Sequence, residues 1–181
     1  MSKTDVHTVS KINLSRFSKA VGEKTTLAAT SELIKEAITH QDWKVRVGGY
    51  FFLGFLAESC KESFSQNLDE IMKIAASGVV DSHPRVRFAG IACLGLMLSE
   101  QAPEAQKKYH AEILPELIKL MNNESYLKLK TQATAAAINF VWELIVVDEK
   151  NIEDVKKESS IMETYTNDLL TTCSTLLNES L

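Results

Sequence analysis

The chain has 181 residues, of which 45% are hydrophobic and 24% are charged, and its formal net charge is −4. This balance predicts a globular protein and argues against a basic surface for direct nucleic-acid binding. No apolar run approaches the roughly 20 residues of a membrane-spanning helix, so no membrane association is expected. Only seven glycines and three prolines are present, which disfavours a many-stranded sandwich or barrel because such folds need many tight turns. Three widely spaced cysteines favour reduced thiols in an intracellular compartment over a disulfide framework.

Apolar residues recur at helical spacing along most of the chain. Ser10–Val21 predicts a short first helix with Phe17 and Val21 facing the core. Three helix pairs follow, each with a first helix (A), a short turn and a second helix (B). We place the A helices near 24–39, 68–80 and 111–122, and the B helices near 43–60, 84–101 and 127–147. Residues 148–160 predict a polar linker that could be helical in part, and residues 161–178 predict the A helix of an incomplete fourth unit.

The helix pairs are related by an internal repeat. Residues 40–46, 81–87 and 124–130 each end in a basic, an aliphatic and a basic residue, at offsets of 41 and 43 positions. When the three repeats are aligned, equivalent positions form columns of similar residues. Three of these columns are the aliphatic Val45/Val86/Leu129, the small Gly49/Gly90/Ala133 and the apolar Leu53/Leu94/Ala137. A small residue lets a neighbouring helix approach closely, and these contacts must offset glycine's poor helix propensity, about 1 kcal/mol. We therefore expect the columns to face the core, with Leu53 and Leu94 buried.

The period and the turn residues resemble a known repeat class. A period near 40 with two helices per unit is typical of HEAT and armadillo repeats. Asp81, Pro84, Val86 and Arg87 match the aspartate, proline, valine and arginine of the HEAT intra-repeat turn, whereas the third unit departs from this signature. Tyr50–Leu56 is apolar nearly all round and needs cover on several sides, as an internal repeat of a solenoid provides. We predict an all-α HEAT-repeat α-solenoid, a right-handed superhelix of antiparallel helix pairs. It would form a single array over 1–181, with units at about 24–62, 66–103 and 110–147 and a partial unit at 161–181.

A closer resemblance covers about residues 15–145. It is carried in chain order by Gly22–Lys24, Asp42–Arg46, His83–Ala89, Ala102–Pro103, Gln106–His110 and Ala135–Phe140. These residues resemble the importin-beta (karyopherin) superfamily and, within it, the branch that imports ribosomal proteins and histones. The resemblance implies a stretch of a longer solenoid that binds proteins as part of a nuclear transport receptor in the cytoplasm and nucleus. The implied partners are basic cargo, the Ran GTPase in its GTP form and nucleoporins.

Basic pairs begin each B helix. Because cations at a helix N-terminus oppose the macrodipole, we expect Arg46 and Arg87 to bond acidic residues of adjacent turns, with Asp81 as a candidate partner. The alternative is a basic strip for acidic partners. The pairs are Lys44/Arg46, Arg85/Arg87 and Lys128/Lys130.

Acidic side chains at helix ends could bind basic partners along one rim, and the candidates are Glu58, Glu62, Glu100 and Glu104. None of the four histidines pairs with another ligand at metal-binding spacing, and no nucleophile or phosphate-loop motif occurs. We therefore predict no enzymatic activity, no catalytic residues, no metal and no cofactor, and packing roles for Trp43 and Trp142. A HEAT scaffold of a phosphatase, chromosome-organising or translation-associated complex fits the periodicity equally well, because fold does not imply function.

Overall fold

The computed structural model describes residues 6–145 and 152–179, and every regular element in these ranges is an α-helix. This confirms the all-α prediction for the described part of the chain. None of the helices there is long and apolar enough to cross a membrane. The helices are α1 (Val6–Val21), α2 (Glu23–Thr39), α3 (Trp43–Ser59), α4 (Lys61–Gln66), α5 (Leu68–Val79), α6 (Pro84–Glu100), α7 (Glu104–Asn123), α8 (Leu127–Ile145) and α9 (Ile152–Glu179).

The predicted A and B helices correspond to α2/α3, α5/α6 and α7/α8. The B helices begin at Trp43, Pro84 and Leu127, which reproduces the 41- and 43-residue offsets of the sequence repeat. Local signals account for the first two of these starts: the Asp42 carboxylate accepts a hydrogen bond from the Lys44 N–H at 2.9 Å, and Pro84 is the first helical residue, where its missing N–H costs nothing. The helix starts were therefore readable from short stretches of sequence.

Several boundaries differ from the prediction. Helix α7 begins at Glu104, not near 111, so Pro115 lies deeper in the helix than its predicted start implies. The proline is exposed, and the helix continues on both sides of it. Helix α9 begins at Ile152, inside the predicted linker, and the short α4 was not predicted.

The inward face of α1 was also predicted wrongly. Phe17 and Val21 are 58% and 37% exposed, whereas Ser18 is buried. The Ser18 hydroxyl donates to the Thr26 Oγ1 of α2 at 3.0 Å and lies 3.9 Å from the Cys60 sulfur. Helix α1 thus packs on α2 and α3 through small side chains, because a bulky residue would hold the helices further apart.

The helices form two compact units, the first ending at Glu100 and the second beginning at Gln101. In the first unit, α3 packs against α1, α2, α4 and α6. These neighbours supply the cover that the apolar stretch Tyr50–Leu56 requires. In the second unit, α7 packs on α8 and both contact α9, around a core that includes Leu114, Leu117, Met121, Leu129 and Phe140.

The small-residue column marks close helix crossings. A Cβ added to Gly90 would stand 2.7 Å from the Gly78 Cα of α5, and one added to Gly49 would stand 2.9 Å from the Ala37 Cβ of α2. Both distances are shorter than an ordinary contact, so the packing reason predicted for this column is confirmed.

Residues of the Val45/Val86/Leu129 and Leu53/Leu94/Ala137 columns are buried as predicted, with one exception. Leu53, Leu94 and Ala137 are buried, as are Val86 and Leu129. Val45 is 39% exposed, so its predicted burial is wrong. The repeat therefore identifies equivalent positions, but equivalent positions need not have equivalent neighbours.

Candidate functional site

An arginine connects the α2–α3 turn and the α5–α6 turn of the first unit. The Arg46 guanidinium donates from Nε and Nη2 to the two carboxylate oxygens of Asp81, at 2.9 and 3.0 Å. Its Nη1 donates to the carbonyl oxygens of His40 and Gln41, at 2.9 and 3.0 Å. The two charged side chains are each only 15% exposed. This fork ties the α2–α3 turn to the α5–α6 turn, and the Asp81 carboxylate neutralises a cation that would otherwise oppose the α3 macrodipole.

Asp81 also organises its own turn. Its Oδ1 accepts a hydrogen bond from the His83 N–H at 2.8 Å. Partial burial acts to raise the pKa of Asp81, but the hydrogen bonds from Arg46 and His83 outweigh it, so the pKa lies below its usual value. Arg87 donates from Nη1 to the carbonyls of Asp81 and Ser82, both at 3.2 Å. Arg46 and Arg87 therefore make the same backbone contacts one repeat apart, and Asp81 is common to both.

An aromatic stack lies beside this fork. The rings of Trp43 and His83 are parallel within 6° and their centroids are 4.3 Å apart. The Lys44 ammonium and the Arg85 guanidinium lie 5.8 and 5.5 Å from the centroid of a Trp43 ring. Sequence reasoning missed the stack, although Trp43 and His83 occupy adjacent columns of the repeat. We name these side chains together the turn cluster: Trp43, Lys44, Arg46, Asp81, His83, Arg85 and Arg87.

The acidic rim candidates lie at helix ends, as their sequence positions predict. Glu58 is exposed in the last turn of α3 and makes an ion pair of 3.1 Å with Lys19. Glu62 is exposed in the first turn of α4, and Glu100 is half-buried at the end of α6. Glu104 begins α7 in the second unit and is exposed. Glu58 already has a basic partner, so its charge is partly neutralised within the chain.

The second unit has an apolar groove between α8 and α9, with a volume of about 660 Å³. Trp142 lines the continuation of this surface and is 63% exposed, so the packing role predicted for it is wrong. We name this surface the α8–α9 groove; its lining includes Leu127, Thr131, Thr134, Ile138, Cys173, Leu176 and Leu177.

The surroundings of two cysteines and one histidine indicate structural roles. Burial raises the pKa of the Cys60 thiol and that of the Cys93 thiol, which disfavours the reactive thiolate. His110 lies 3.3 Å from the Tyr165 hydroxyl, which links α7 to α9. Within the residues that the structure describes, no group of three or more His, Cys, Asp or Glu side chains could hold a metal ion.

Known proteins share both the repeat and the fold. A family model described as a HEAT-like repeat matches residues 84–136. Importin subunit beta-3 from Saccharomyces cerevisiae is 27% identical over 167 residues, which are 92% of this chain and 14% of that protein. The crystal structure of Kap121p bound to Pho4p matches with a TM-score of 0.79 and 26% identity, over 98% of this chain and 16% of that one. Kap121p bound to RanGTP matches with a TM-score of 0.77 and 25% identity, over 95% of this chain and 16% of that one.

The fold is therefore that of a HEAT-repeat solenoid protein, as predicted. Within this class, the chain is similar to proteins of the importin-beta (karyopherin) family. The chain spans about one seventh of the length of the importin that it matches.

Proposed function

We propose that the chain is a non-enzymatic, protein-binding segment of a nuclear transport receptor that works in the cytoplasm and nucleus. Its partners would be basic cargo, Ran in its GTP form and nucleoporins. The supporting observation is the similarity to Kap121p over 97–98% of the chain, in complexes of that protein with Pho4p and Nup53p. Kap121p has also been solved with RanGTP.

The geometry of the first unit fits a binding scaffold. Helices α3 and α6 pack side by side along their length, and HEAT arrays of this kind present extended surfaces to their partners. Glu58 and Glu100 mark the C-terminal ends of these two helices, and Glu62 follows directly in α4. A net charge of −4 favours encounter with positively charged proteins. Basic cargo such as ribosomal proteins and histones, the cargo of the branch that the sequence resembles, would suit this charge.

A binding assay with Ran tests the transport role. The chain is immobilised and titrated with Ran loaded with GTP or GDP, in the presence and absence of a lysine-rich cargo peptide. We expect the GTP form to bind more tightly than the GDP form or to displace the peptide. Equal binding of the two nucleotide forms, with no effect on the peptide, would contradict a Ran-dependent role of this segment and favour a HEAT scaffold of another complex.

Charge reversal tests the acidic rim separately. Changing Glu58, Glu62, Glu100 and Glu104 together to lysine should weaken binding of the cargo peptide and flatten its salt dependence, because exposed charges are screened within about 8 Å at physiological ionic strength. A matched control reverses four other exposed glutamates, Glu36, Glu112, Glu116 and Glu163. Equal losses in the two variants would show that net charge, not the rim, recruits the cargo.

A further inference from the structure

The turn cluster contains more basic than acidic side chains. The two turns, residues 40–46 and 81–87, contain four basic and two acidic side chains. Arg46 is occupied by Asp81 and two carbonyls, and Arg87 donates to the backbone of Asp81 and Ser82. Lys44 and Arg85 differ from them, because both are exposed and their side-chain contacts are with Trp43.

No acidic side chain within the described residues pairs with Lys44 or Arg85. The Asp42 carboxylate accepts a hydrogen bond from the backbone N–H of Lys44, and the Asp81 carboxylate forms an ion pair with Arg46. Lys44 and Arg85 lie in the first turns of α3 and α6, where a cation is unfavourable because it faces the positive end of the helix dipole. An external anion would relieve this unfavourable arrangement at both helices at once.

The position of Trp43 brings the two cations to one site. Because both charged groups lie within 6 Å of the same indole, a single short segment can reach both. The half-buried Trp43–His83 stack adds aromatic surface beside the two cations, against which an aromatic or aliphatic side chain could pack. Two cations on a chain of net charge −4 suit a few carboxylates better than a nucleic-acid backbone, whose binding depends on many phosphate contacts.

We propose that the turn cluster binds a short acidic segment of a partner protein. Two carboxylates of that segment pair with Lys44 and Arg85, and a neighbouring apolar side chain packs on the Trp43–His83 stack. Arg46 and Asp81 keep the two turns at a fixed spacing and do not contact the ligand. The turn cluster shares no residue with the acidic rim, and the proposal does not depend on the transport role.

The test uses the full chain and a fluorescein-labelled peptide in which glutamates and serines alternate around one phenylalanine. Binding is followed by fluorescence anisotropy at low salt. We expect the double variant Lys44→Glu/Arg85→Glu to weaken binding about tenfold or more, and the neutral variant Lys44→Gln/Arg85→Gln to weaken it less. The control, Lys24→Glu/Lys73→Glu, reverses two exposed lysines of α2 and α5. It should stay within about twofold of the unmodified chain.

Trp43 supplies a second readout. In a Trp142→Phe background, the peptide should change the fluorescence of Trp43, the remaining tryptophan. Equal losses in the two charge-reversed variants, or equal binding of a peptide with glutamine in place of glutamate, would overturn the proposal. So would failure of the acidic peptide to bind, or tighter binding of a single-stranded oligonucleotide of the same length.

Discussion

Replacing Gly90 by alanine is expected to destabilise the chain, although alanine is the better helix former. The new Cβ would stand 2.7 Å from the Cα and carbonyl oxygen of Gly78, whereas an ordinary contact begins at 3.4 Å. The atoms in the way are backbone and cannot rotate aside, and the Gly78 carbonyl carbon is nearer still. Helices α5 and α6 must therefore separate by at least about 0.7 Å, a gap that already forfeits a quarter or more of each dispersion contact along the crossing. An overpacking cost of about 3 kcal/mol, less about 1 kcal/mol gained in helix propensity, leaves a net loss of about 2 kcal/mol.

A second glycine provides the matched control. Gly48 lies inside α3, is exposed, and a Cβ added there meets no atom within 4 Å. Gly48→Ala should therefore raise the free energy of unfolding by about 0.5–1 kcal/mol. Urea denaturation followed by circular dichroism would measure both variants. If Gly90→Ala were as stable as the unmodified chain or more stable, the close crossing of α5 and α6 would not exist as described.

Three further outcomes are expected. Leu94→Ala, which truncates a side chain that is 3% exposed, should lower the free energy of unfolding by about 2–5 kcal/mol in the same denaturation assay; an unchanged midpoint would contradict its place in the core. Because the folded-state pKa of Asp81 is lowered, the stability from its pair with Arg46 is present above the unfolded pKa, about 4, and lost as the pH falls through the folded value. Asp81→Asn should therefore reduce the loss of stability on acidification below about pH 4, and parallel pH profiles would refute this coupling. A thiol reagent should modify Cys173, which is partly exposed, faster than Cys93, which is buried and has a raised pKa; labelling followed by mass spectrometry gives the order, and faster modification of Cys93 would contradict its burial.

The turn cluster shows which features of a site can be predicted from the local sequence and which depend on tertiary structure. The sequence indicated that Arg46, Asp81 and Arg87 belong to one recurring turn, because their spacing repeats at 41 residues. The stack of Trp43 on His83 requires the distance between two turns that are 40 residues apart in sequence. That distance depends on how closely α3 and α6 approach. At Gly54 of α3, a Cβ would stand 3.2 Å from the Cys93 Cα, and this closeness is not encoded in either turn.

The sequence by itself determined the three helix pairs, their order and the starts of the B helices, whereas it missed α4 and misplaced the starts of α7 and α9. Helical periodicity, the Asp42 cap and Pro84 act within a few residues of each other, so these features need no knowledge of distant contacts. Tertiary structure decided which faces are covered. Phe17 and Trp142 are apolar residues on helical faces, yet both are exposed, while the small Ser18 is buried. Burial depends on which other helix lies opposite a face, and that neighbour comes from elsewhere in the chain or from a partner, so the pattern of one helix cannot specify it.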